Sequence, residues 1–305
     1  MTPSSTRILD LKSLIVLSSL TAVWGGSFFF AEIALREVAP LTVTLHRVIW
    51  AVPILLLIVA VKGIKVPVSA RIWLAYLVMG ALNNFLPFSL IFWGQTQIDS
   101  GLASILNAMT AIFSAVVTGL LLADEPLTTK KIINTALGLI GLACTIGPSA
   151  MTEFDLGNLA QLAILGAALS YAFAGVWGRV ALTGQPPLMN ALGMLIGSTL
   201  LMVPIVFWVD GPPNLDISTN SWATLIGVAF LSTALAYVLY FAILARAGAA
   251  NLLLVTLLIP PFAICLGLLF LDEQVGPEAL IGFAIIALGF AVTDGRLFSR
   301  FHKMP

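Results

Sequence analysis

The chain has 305 residues, of which 60% are apolar and only 9% are charged, and its formal net charge is zero. Soluble domains average about 45–50% apolar and about 25% charged residues, so this composition excludes a water-soluble surface. The lack of net positive charge argues against nucleic-acid binding. No series of short alternating segments indicates a transmembrane barrel, and the predicted fold class is therefore all-α, a polytopic membrane protein.

Ten apolar segments are long enough to cross a bilayer as helices, which takes about 20 residues each. In chain order, the predicted spans are residues 12–31, 40–61, 72–94, 100–122, 130–148, 157–181, 188–208, 221–243, 248–271 and 277–295. The connections between them are short and leave no room for a soluble domain. The first segment follows Arg7 and Lys12 as a signal peptide would, but it continues through Phe28-Phe29-Phe30, so we expect a retained helix.

Basic residues are distributed unevenly between the two sides that these spans define. Only Arg36 and Arg47 fall towards the side opposite the N-terminus. The others fall on the N-terminal side: Arg7, Lys12, Lys62, Lys65, Arg71, Lys130, Lys131, Arg179, Arg246, Arg296, Arg300 and Lys303. Because loops rich in Lys and Arg stay in the cytoplasm, we expect a multi-pass protein of the cell (inner) membrane with both termini cytoplasmic.

One five-helix pattern occurs twice in the chain. Residues 120–125 read Leu-Leu-Leu-Ala-Asp-Glu and residues 268–273 read Leu-Leu-Phe-Leu-Asp-Glu, and each run leads without a gap into a Gly-rich apolar stretch. We therefore place a boundary near residue 150, with spans one to five in residues 1–150 and spans six to ten in residues 151–305. An odd number of spans per copy gives the copies opposite orientations, and such inverted repeats hold a substrate site at the midplane between them.

Short motifs recur in register with these repeats. They are Trp24-Gly25-Gly26-Ser27-Phe28 in the first span, Arg47 in the second, and Pro260-Pro261 followed by an apolar run and Asp272-Glu273. Together they resemble the motifs of EamA-type carriers in the drug/metabolite transporter superfamily, although the first copy has Thr110-Ala111-Ile112 where the family often has proline. Within the family the chain looks most like YddG-type exporters of aromatic and other amino acids. The resemblance implies export of small metabolites by alternating access, through a central cavity walled by both repeats.

Polar and aromatic residues inside the spans are candidates for lining that cavity, because lipid-facing polar groups are costly. The predicted substrate-binding residues are Trp24, Phe28, Asn83, Asn84, Asn107, Tyr171 and Tyr237. An amide can donate to a carboxylate and accept from an ammonium, and an aromatic ring can stack on a substrate or cover a cation. The alternatives are hydrogen bonds between helices for the asparagines, close packing for the face that carries Asn107, and lipid contact for the aromatic residues.

His46 and Arg47 form the one ionisable cluster well inside a predicted span, and Glu32 and Glu37 lie at helix ends on the same side. Arg47 has three interpretations: a pair with one of these carboxylates that closes a gate, binding of a substrate carboxylate, or snorkelling to the headgroups. His46 can titrate near neutral pH or be a polar surface residue. Because no Asp or Glu lies mid-span, we expect facilitated efflux, or weak coupling through His46 or Glu32.

Prolines inside the spans predict hinges at Pro87, Pro260 and Pro261, because each removes a backbone hydrogen bond. The two Asp-Glu pairs fall at helix ends on opposite sides of the membrane, so they predict capping rather than a shared catalytic or metal site. Cys144 and Cys265 lie in apolar runs, without metal-ligand spacing, and we expect no disulfide. No catalytic motif is present, and we expect neither enzyme activity nor a cofactor.

The leading hypothesis is a secondary carrier that exports small metabolites, among them amino acids including aromatic ones. The alternatives are the same fold with other cargo, such as drugs, purines or nucleotide sugars, and a proton-coupled antiporter. A phosphate-bearing substrate would need cations deep in the cavity, and only Arg47 qualifies. Two complete repeats let one chain enclose its own cavity, so we expect a functional monomer whose partners are the lipid bilayer and a small-molecule substrate.

Overall fold

The computed structural model describes residues 10–124, 128–146, 159–247 and 254–294. These residues form fourteen α-helices and two π-helical segments and contain no β-strand, which confirms the all-α class. The α-helices are α1 (Leu11–Ala34), α2 (Pro40–Ile49), α3 (Ala51–Val61), α4 (Ala70–Gly80), α5 (Leu86–Gln95), α6 (Ser100–Asn107), α7 (Thr110–Leu121), α8 (Thr129–Ile146), α9 (Leu159–Ala181), α10 (Pro187–Val209), α11 (Thr219–Ile226), α12 (Ala236–Ala247), α13 (Leu254–Phe270) and α14 (Pro277–Asp294). The π-helical segments are Ala81–Phe85, which joins α4 to α5, and Gly227–Leu235, which joins α11 to α12.

Among the described residues, seven helical runs are long and apolar enough to cross a membrane. They are Leu11–Ala34, Pro40–Val61, Ala70–Gln95, Ser100–Leu121, Leu159–Ala181, Pro187–Val209 and Thr219–Leu244. Shorter apolar helices occupy Leu258–Phe270 and Pro277–Leu288. The seven long runs coincide with predicted spans to within a few residues. The full count of ten spans and the inverted relation of the two copies stay predictions, and parts of the repeat pattern, at residues 125–127 and 147–158, lie outside the described residues.

Large apolar side chains cover the outward faces of these helices. Trp208 is 86% exposed, Leu269 is 72% exposed and Leu57 is 64% exposed. An apolar surface of this extent is unfavourable in water and matches the hydrocarbon of a bilayer. The chain is therefore a multi-pass membrane protein.

Helices from the two halves of the sequence pack against each other throughout. Helix α1 lies against α12 and α13, α4 lies against α10, α9 lies against α5 and α7, and α8 runs along α14. The tightest approach is between α4 and α10, where Gly80 and Gly197 bring backbone atoms of the two helices together. The two halves are thus interleaved, and a space enclosed by the bundle has walls from both.

Long-range polar contacts fix the helix ends. The Glu273 carboxylate accepts the backbone N–H groups of Ser100 (2.9 Å) and Gly101 (3.2 Å) and so caps the start of α6. At the opposite end of the Ser100–Leu121 run, Asp124 accepts from Arg179 at 2.5 Å, and both side chains are exposed. Glu273 therefore caps a helix end, as predicted for its pair, whereas Asp124 forms a surface ion pair that the sequence did not predict, and Glu125 lies outside the described residues. Helix α14 begins at Pro277, also as predicted.

Candidate functional site

A cavity of about 520 Å³ lies inside the bundle, with walls from both halves of the chain. Aromatic rings and uncharged polar groups make up most of its wall. Six of the seven residues predicted to bind substrate line it: Trp24, Phe28, Asn83, Asn107, Tyr171 and Tyr237. Their role in binding stays a prediction, but the sequence placed them in one shared cavity.

The cavity extends unequally towards the two ends of the bundle. Its wall reaches Gly178, Leu182 and Asn190 beside the turn from α9 to α10, at the end where α1 begins. Towards the end where α1 finishes, the wall stops at Phe92 and Ser104, within α5 and α6. We call the first of these the open end and the second the closed end.

Arg47 is the one charged residue in the described wall, which contains no Asp, Glu, Lys or His. The side chain belongs to α2 and the residue is only 7% exposed. Its Nε donates to Thr233 Oγ1 (3.1 Å), its Nη1 to Ser27 Oγ (2.8 Å) and its Nη2 to the Ser232 carbonyl (3.4 Å). The guanidinium carbon lies 3.7 Å from the centre of the Phe88 ring, which is cation–π distance.

Two of the interpretations offered for Arg47 do not describe this structure. Its hydrogen-bond partners in the described part of the chain include no carboxylate, so the predicted gate pair is not formed. Glu32 instead accepts from Gln95 Nε2 (3.3 Å), and Glu37 accepts from the Ser218 backbone N–H (2.8 Å). The burial of Arg47 inside the bundle excludes snorkelling, because a snorkelling guanidinium would reach the headgroups. The remaining interpretation, a site for a substrate carboxylate, is compatible with the geometry.

The two other ionisable residues predicted at the gate, Glu32 and His46, are absent from the cavity wall. His46 Nδ1 accepts from Trp50 Nε1 at 2.8 Å, and the imidazole meets the Trp222 ring edge-on. His46 is only 7% exposed, so it is not a surface residue. Both side chains already have partners outside the cavity.

Asn84 differs from the other predicted binding residues, because it is fully buried and does not line the cavity. Its Oδ1 accepts from the Tyr237 hydroxyl at 3.1 Å, and its Nδ2 lies 3.4 Å from Ser198 Oγ. Asn83 Nδ2 lies 3.4 Å from the Tyr237 hydroxyl on the cavity side. Asn84 therefore supports Tyr237 and Asn83 from behind instead of meeting a ligand.

The π-helical segment Ala81–Phe85 contains both asparagines, of which Asn83 lines the cavity and Asn84 does not. Pro87 follows within α5 and lacks a backbone N–H, so the regular i to i−4 pattern fails one turn earlier and the wider π pattern replaces it. Pro260 and Pro261 lie inside α13, which continues through them. The hinge roles of all three prolines stay predictions.

The second π-helical segment, Gly227–Leu235, contains no proline. Within it, the Ser232 hydroxyl donates to the Val23 carbonyl of α1 (2.7 Å) and the Thr233 hydroxyl donates to the Val228 carbonyl five residues back (2.9 Å). Hydroxyls that bond to backbone carbonyls compete with the helical ladder. This segment presents the Thr233 hydroxyl and the Ser232 carbonyl to Arg47.

Two side-chain oxygens in the cavity wall are buried without a hydrogen-bond partner among the described residues. They belong to Asn107, the last residue of α6, and to Asn190, in the first turn of α10. Buried polar atoms are almost always paired, so an unpaired one in a cavity wall is an available acceptor for a ligand or water. Asn190 was missed by the sequence analysis, although an amide in an apolar span was the signal that identified Asn83.

Sequence reasoning also missed Ser232 and the ring pair Phe88 and Phe92, which surround Arg47. No sequence signal marks them, since they are ordinary residues in apolar helices. Their part in the site comes only from their distance to a guanidinium that is remote in the chain.

A smaller space of about 330 Å³ lies at the closed end and is lined by acidic side chains and one arginine: Glu32, Arg36, Asp99, Asp272 and Glu273. Burial and the nearby negative charge of Glu273 raise the pKa of Asp99 above its ordinary value. No group of His, Cys, Asp or Glu in the described ranges has a geometry that could hold a metal ion.

The fold and the cavity define a class, a multi-pass membrane protein with a polar and aromatic chamber inside its helix bundle. Comparison with known proteins agrees with this class. The EamA-like transporter family model matches residues 11–147 and 158–293. The chain therefore belongs to the EamA-like transporter family, and it is a membrane transporter.

Individual relatives align over almost the whole chain. The "Uncharacterized transporter YoaV" of Bacillus subtilis (strain 168) is 25% identical over 92% of this chain and 95% of its own length. The "Protein PecM" of Dickeya dadantii (strain 3937) is 27% identical over 92% of each chain. The "Probable terminal-alkyne amino-acid exporter" of Streptantibioticus cattleyicolor is 23% identical over 95% of each chain. A protein of known crystal structure superposes with a TM-score of 0.69 at 16% identity, over 96% of this chain and 99% of that one, which establishes a shared fold alone.

Proposed function

We propose that this transporter exports small metabolites, among them amino acids including aromatic ones, by alternating access. The main observation that supports the proposal is the cavity itself. It is of ligand size, it combines aromatic rings with amide and hydroxyl groups, and its wall extends to Leu182, beside the turn that follows α9. The relative from Streptantibioticus whose name specifies amino-acid export supports the same cargo class.

The test is export of a panel of labelled amino acids from cells that express the chain, compared with cells that carry an empty vector. We expect efflux of aromatic amino acids to rise with expression and to saturate with the internal concentration. Trp24→Ala and Asn83→Ala remove cavity-lining groups and should reduce this efflux. Trp208→Ala is the matched control, because this tryptophan is 86% exposed on the outer face and is absent from the cavity wall. Efflux equal to that of the vector control for the whole panel would refute the proposal.

We infer that efflux runs down the substrate gradient. This is supported by the absence of any carboxylate or histidine from the described cavity wall, and by Glu32 and His46 having partners elsewhere. A proteoliposome carrying Glu32→Gln together with His46→Gln should retain net export. Loss of net export in this double variant, with counterflow exchange retained, would establish coupling through one of these residues and contradict facilitated efflux.

The proposed architecture is two five-span copies, residues 1–150 and 151–305, in opposite orientations, with both termini cytoplasmic in the inner membrane. The distribution of basic residues supports it, and so does the location of Asp124 and Glu273 at opposite ends of the Ser100–Leu121 run. Single cysteines in place of Asp124 and Asp272, in a chain whose native cysteines have been replaced, should react with an impermeant reagent from opposite sides of the membrane. Labelling from one common side would contradict the inverted repeat.

We propose that the functional unit is the monomer, because the cavity wall is complete within one chain. Reconstitution at a ratio of less than one chain per liposome should give the same transport per chain as reconstitution at high density. A steep loss of specific activity on dilution would contradict this.

A further inference from the structure

The buried positive charge of Arg47 has no negatively charged partner in the described wall of the cavity. A guanidinium stays protonated in proteins, so the residue is a permanent cation. All three of its hydrogen bonds go to neutral oxygens, and the described cavity wall supplies no carboxylate as a counter-ion. Uncompensated buried charges are unfavourable, so an anion from outside the protein would be stabilised at this site.

Arg47 also has N–H groups that make no hydrogen bond with the described residues. A guanidinium carries five N–H groups in a fixed plane, and three of them are used by Thr233, Ser27 and Ser232. The other two are without a hydrogen-bond partner in the part of the chain that the structure describes. They belong to a residue of the cavity wall and form the donor geometry that a carboxylate accepts.

The position of Arg47 along the length of the bundle indicates how a ligand would be oriented in the cavity. Ser27, Arg47 and Asn107 each lie seven residues from the helix terminus at the closed end, that is from Ala34, Pro40 and Ser100. At 1.5 Å per residue each is about 10 Å below that terminus. A ring pair lies nearer the open end, where Trp24 and Tyr240 line the same cavity with their ring centres 5.9 Å apart. The charge of Arg47 therefore lies nearer the closed end, and the ring pair Trp24 and Tyr240 lies nearer the open end.

Resting on the proposed export function, we propose that Arg47 is a carboxylate subsite, and that the substrates are small organic carboxylates with an apolar or aromatic body. The carboxylate binds the two unused N–H groups of Arg47, and the body extends towards Trp24 and Tyr240. The unpartnered Asn107 oxygen, at the same depth, accepts a hydrogen bond from a substrate ammonium or hydroxyl. The substrate ammonium contributes less to binding than the carboxylate, because no negative group in the described wall pairs with it. Amines that lack a carboxylate are not substrates.

Three ligands that differ only in their charged groups test this: phenylalanine, 3-phenylpropionate, which lacks the ammonium, and phenethylamine, which lacks the carboxylate. Binding is measured by isothermal titration on the purified full chain in detergent. We expect the two carboxylates to bind, and phenethylamine to bind at least about tenfold more weakly, because it forfeits charge-assisted hydrogen bonds. Phenethylamine binding as tightly as phenylalanine would overturn the proposal without the need for any variant.

Arg47→Gln and Arg47→Lys provide the second measurement. Arg47→Gln should weaken both carboxylates by about 10- to 100-fold and leave phenethylamine unchanged, and Arg47→Lys should recover part of the loss by restoring charge without the planar fork. Equal weakening of all three ligands would mean a structural role and would also overturn the proposal. Export measurements distinguish failure of the carboxylate subsite from failure of the proposed export function. Efflux of phenylalanine together with equal efflux of phenethylamine rejects the carboxylate subsite alone, whereas absence of efflux of every amino acid rejects the proposed function.

Discussion

Gly80 is where a single methyl group should disturb the bundle most directly. It lies at the end of α4 against α10, and a Cβ at this position would be 2.5 Å from the Met194 carbonyl oxygen and 2.5 Å from the Ser198 backbone nitrogen. Both atoms belong to the backbone of α10, so neither can rotate aside. Because ordinary contacts begin near 3.4 Å, Gly80→Ala forces α4 and α10 apart by about 1 Å.

The size of the effect follows from two opposing contributions. Overpacking of this kind costs about 1–3 kcal/mol, while replacement of glycine by alanine inside a helix gains up to about 1 kcal/mol. We therefore expect Gly80→Ala to destabilise the bundle by up to about 2 kcal/mol. Gly166→Ala in α9 is the matched control, since its new Cβ would be 3.6 Å from the nearest atom, Leu90 Cδ1.

The assay is thermal unfolding of the purified chain in detergent, followed by tryptophan fluorescence. Gly80→Ala should unfold at a lower temperature than the wild type, and Gly166→Ala at the same temperature or slightly above it. Equal unfolding temperatures for the two variants would refute the close approach of α4 and α10. A lower unfolding temperature for Gly166→Ala, with none for Gly80→Ala, would refute it more strongly.

Three further predictions concern the closed end and the cavity. Glu273→Ala removes the acceptor of the Ser100 backbone N–H and should cost about 1–2 kcal/mol in the same assay, so an unchanged midpoint would argue against this cap. Hydrogen bonds, chiefly from Ser218, lower the pKa of Glu37 below its ordinary value of 4.5; the stabilisation is therefore present above pH 4.5 and is lost as the pH falls through the lower folded-state pKa. The advantage of the wild type over Glu37→Gln in unfolding temperature should shrink in that acidic range, and a constant difference would contradict the prediction. Gly175 lines the cavity and faces open space, so Gly175→Leu should reduce export of phenylalanine at least about tenfold more than export of alanine without lowering the unfolding temperature, and equal losses for both would contradict a size effect.

The positions of the helices were predictable because the bilayer leaves the backbone few choices. A chain in hydrocarbon must satisfy its N–H and C=O groups within each helix, so long apolar runs specify helices whatever their neighbours are. The predicted span at residues 72–94 corresponds to Ala70–Gln95, and that at 100–122 to Ser100–Leu121. The same reasoning identified the intramembrane polar residues, since polar groups that avoid lipid must face the interior.

The detailed geometry of the site was not predictable from sequence, because it depends on contacts between distant residues. Asn83 and Asn84 are neighbours with the same side chain, and yet one lines the cavity and the other is sealed behind it. Their surroundings differ because Asn84 meets Tyr237, which lies 153 residues away in the chain, and Ser198. The three interpretations of Arg47 stayed open for the same reason. Charge complementarity suggested Glu32 and Glu37, whereas the fold brings Thr233 and Ser232 to the guanidinium.

The neutral partners of Arg47 have a consequence for transport. The residue belongs to α2 in the first half of the chain, while Thr233 and Ser232 belong to the π-helical segment in the second half, so these hydrogen bonds hold the two halves together near the closed end. In the proposed alternating access the closed end opens, and these bonds then break. An ion pair between the same buried positions would be harder to separate, because breaking it leaves two buried charges without partners.

The hydrogen bonds from Arg47 to hydroxyl and carbonyl oxygens are weaker than an ion pair, because these acceptors carry no negative charge. They also leave the positive charge of Arg47 unneutralised until a ligand arrives. A carboxylate supplied by the protein would have satisfied the arginine permanently and competed with any substrate anion. In the proposed mechanism, the absence of an acidic partner therefore allows one buried residue both to hold the closed end and to bind a substrate carboxylate.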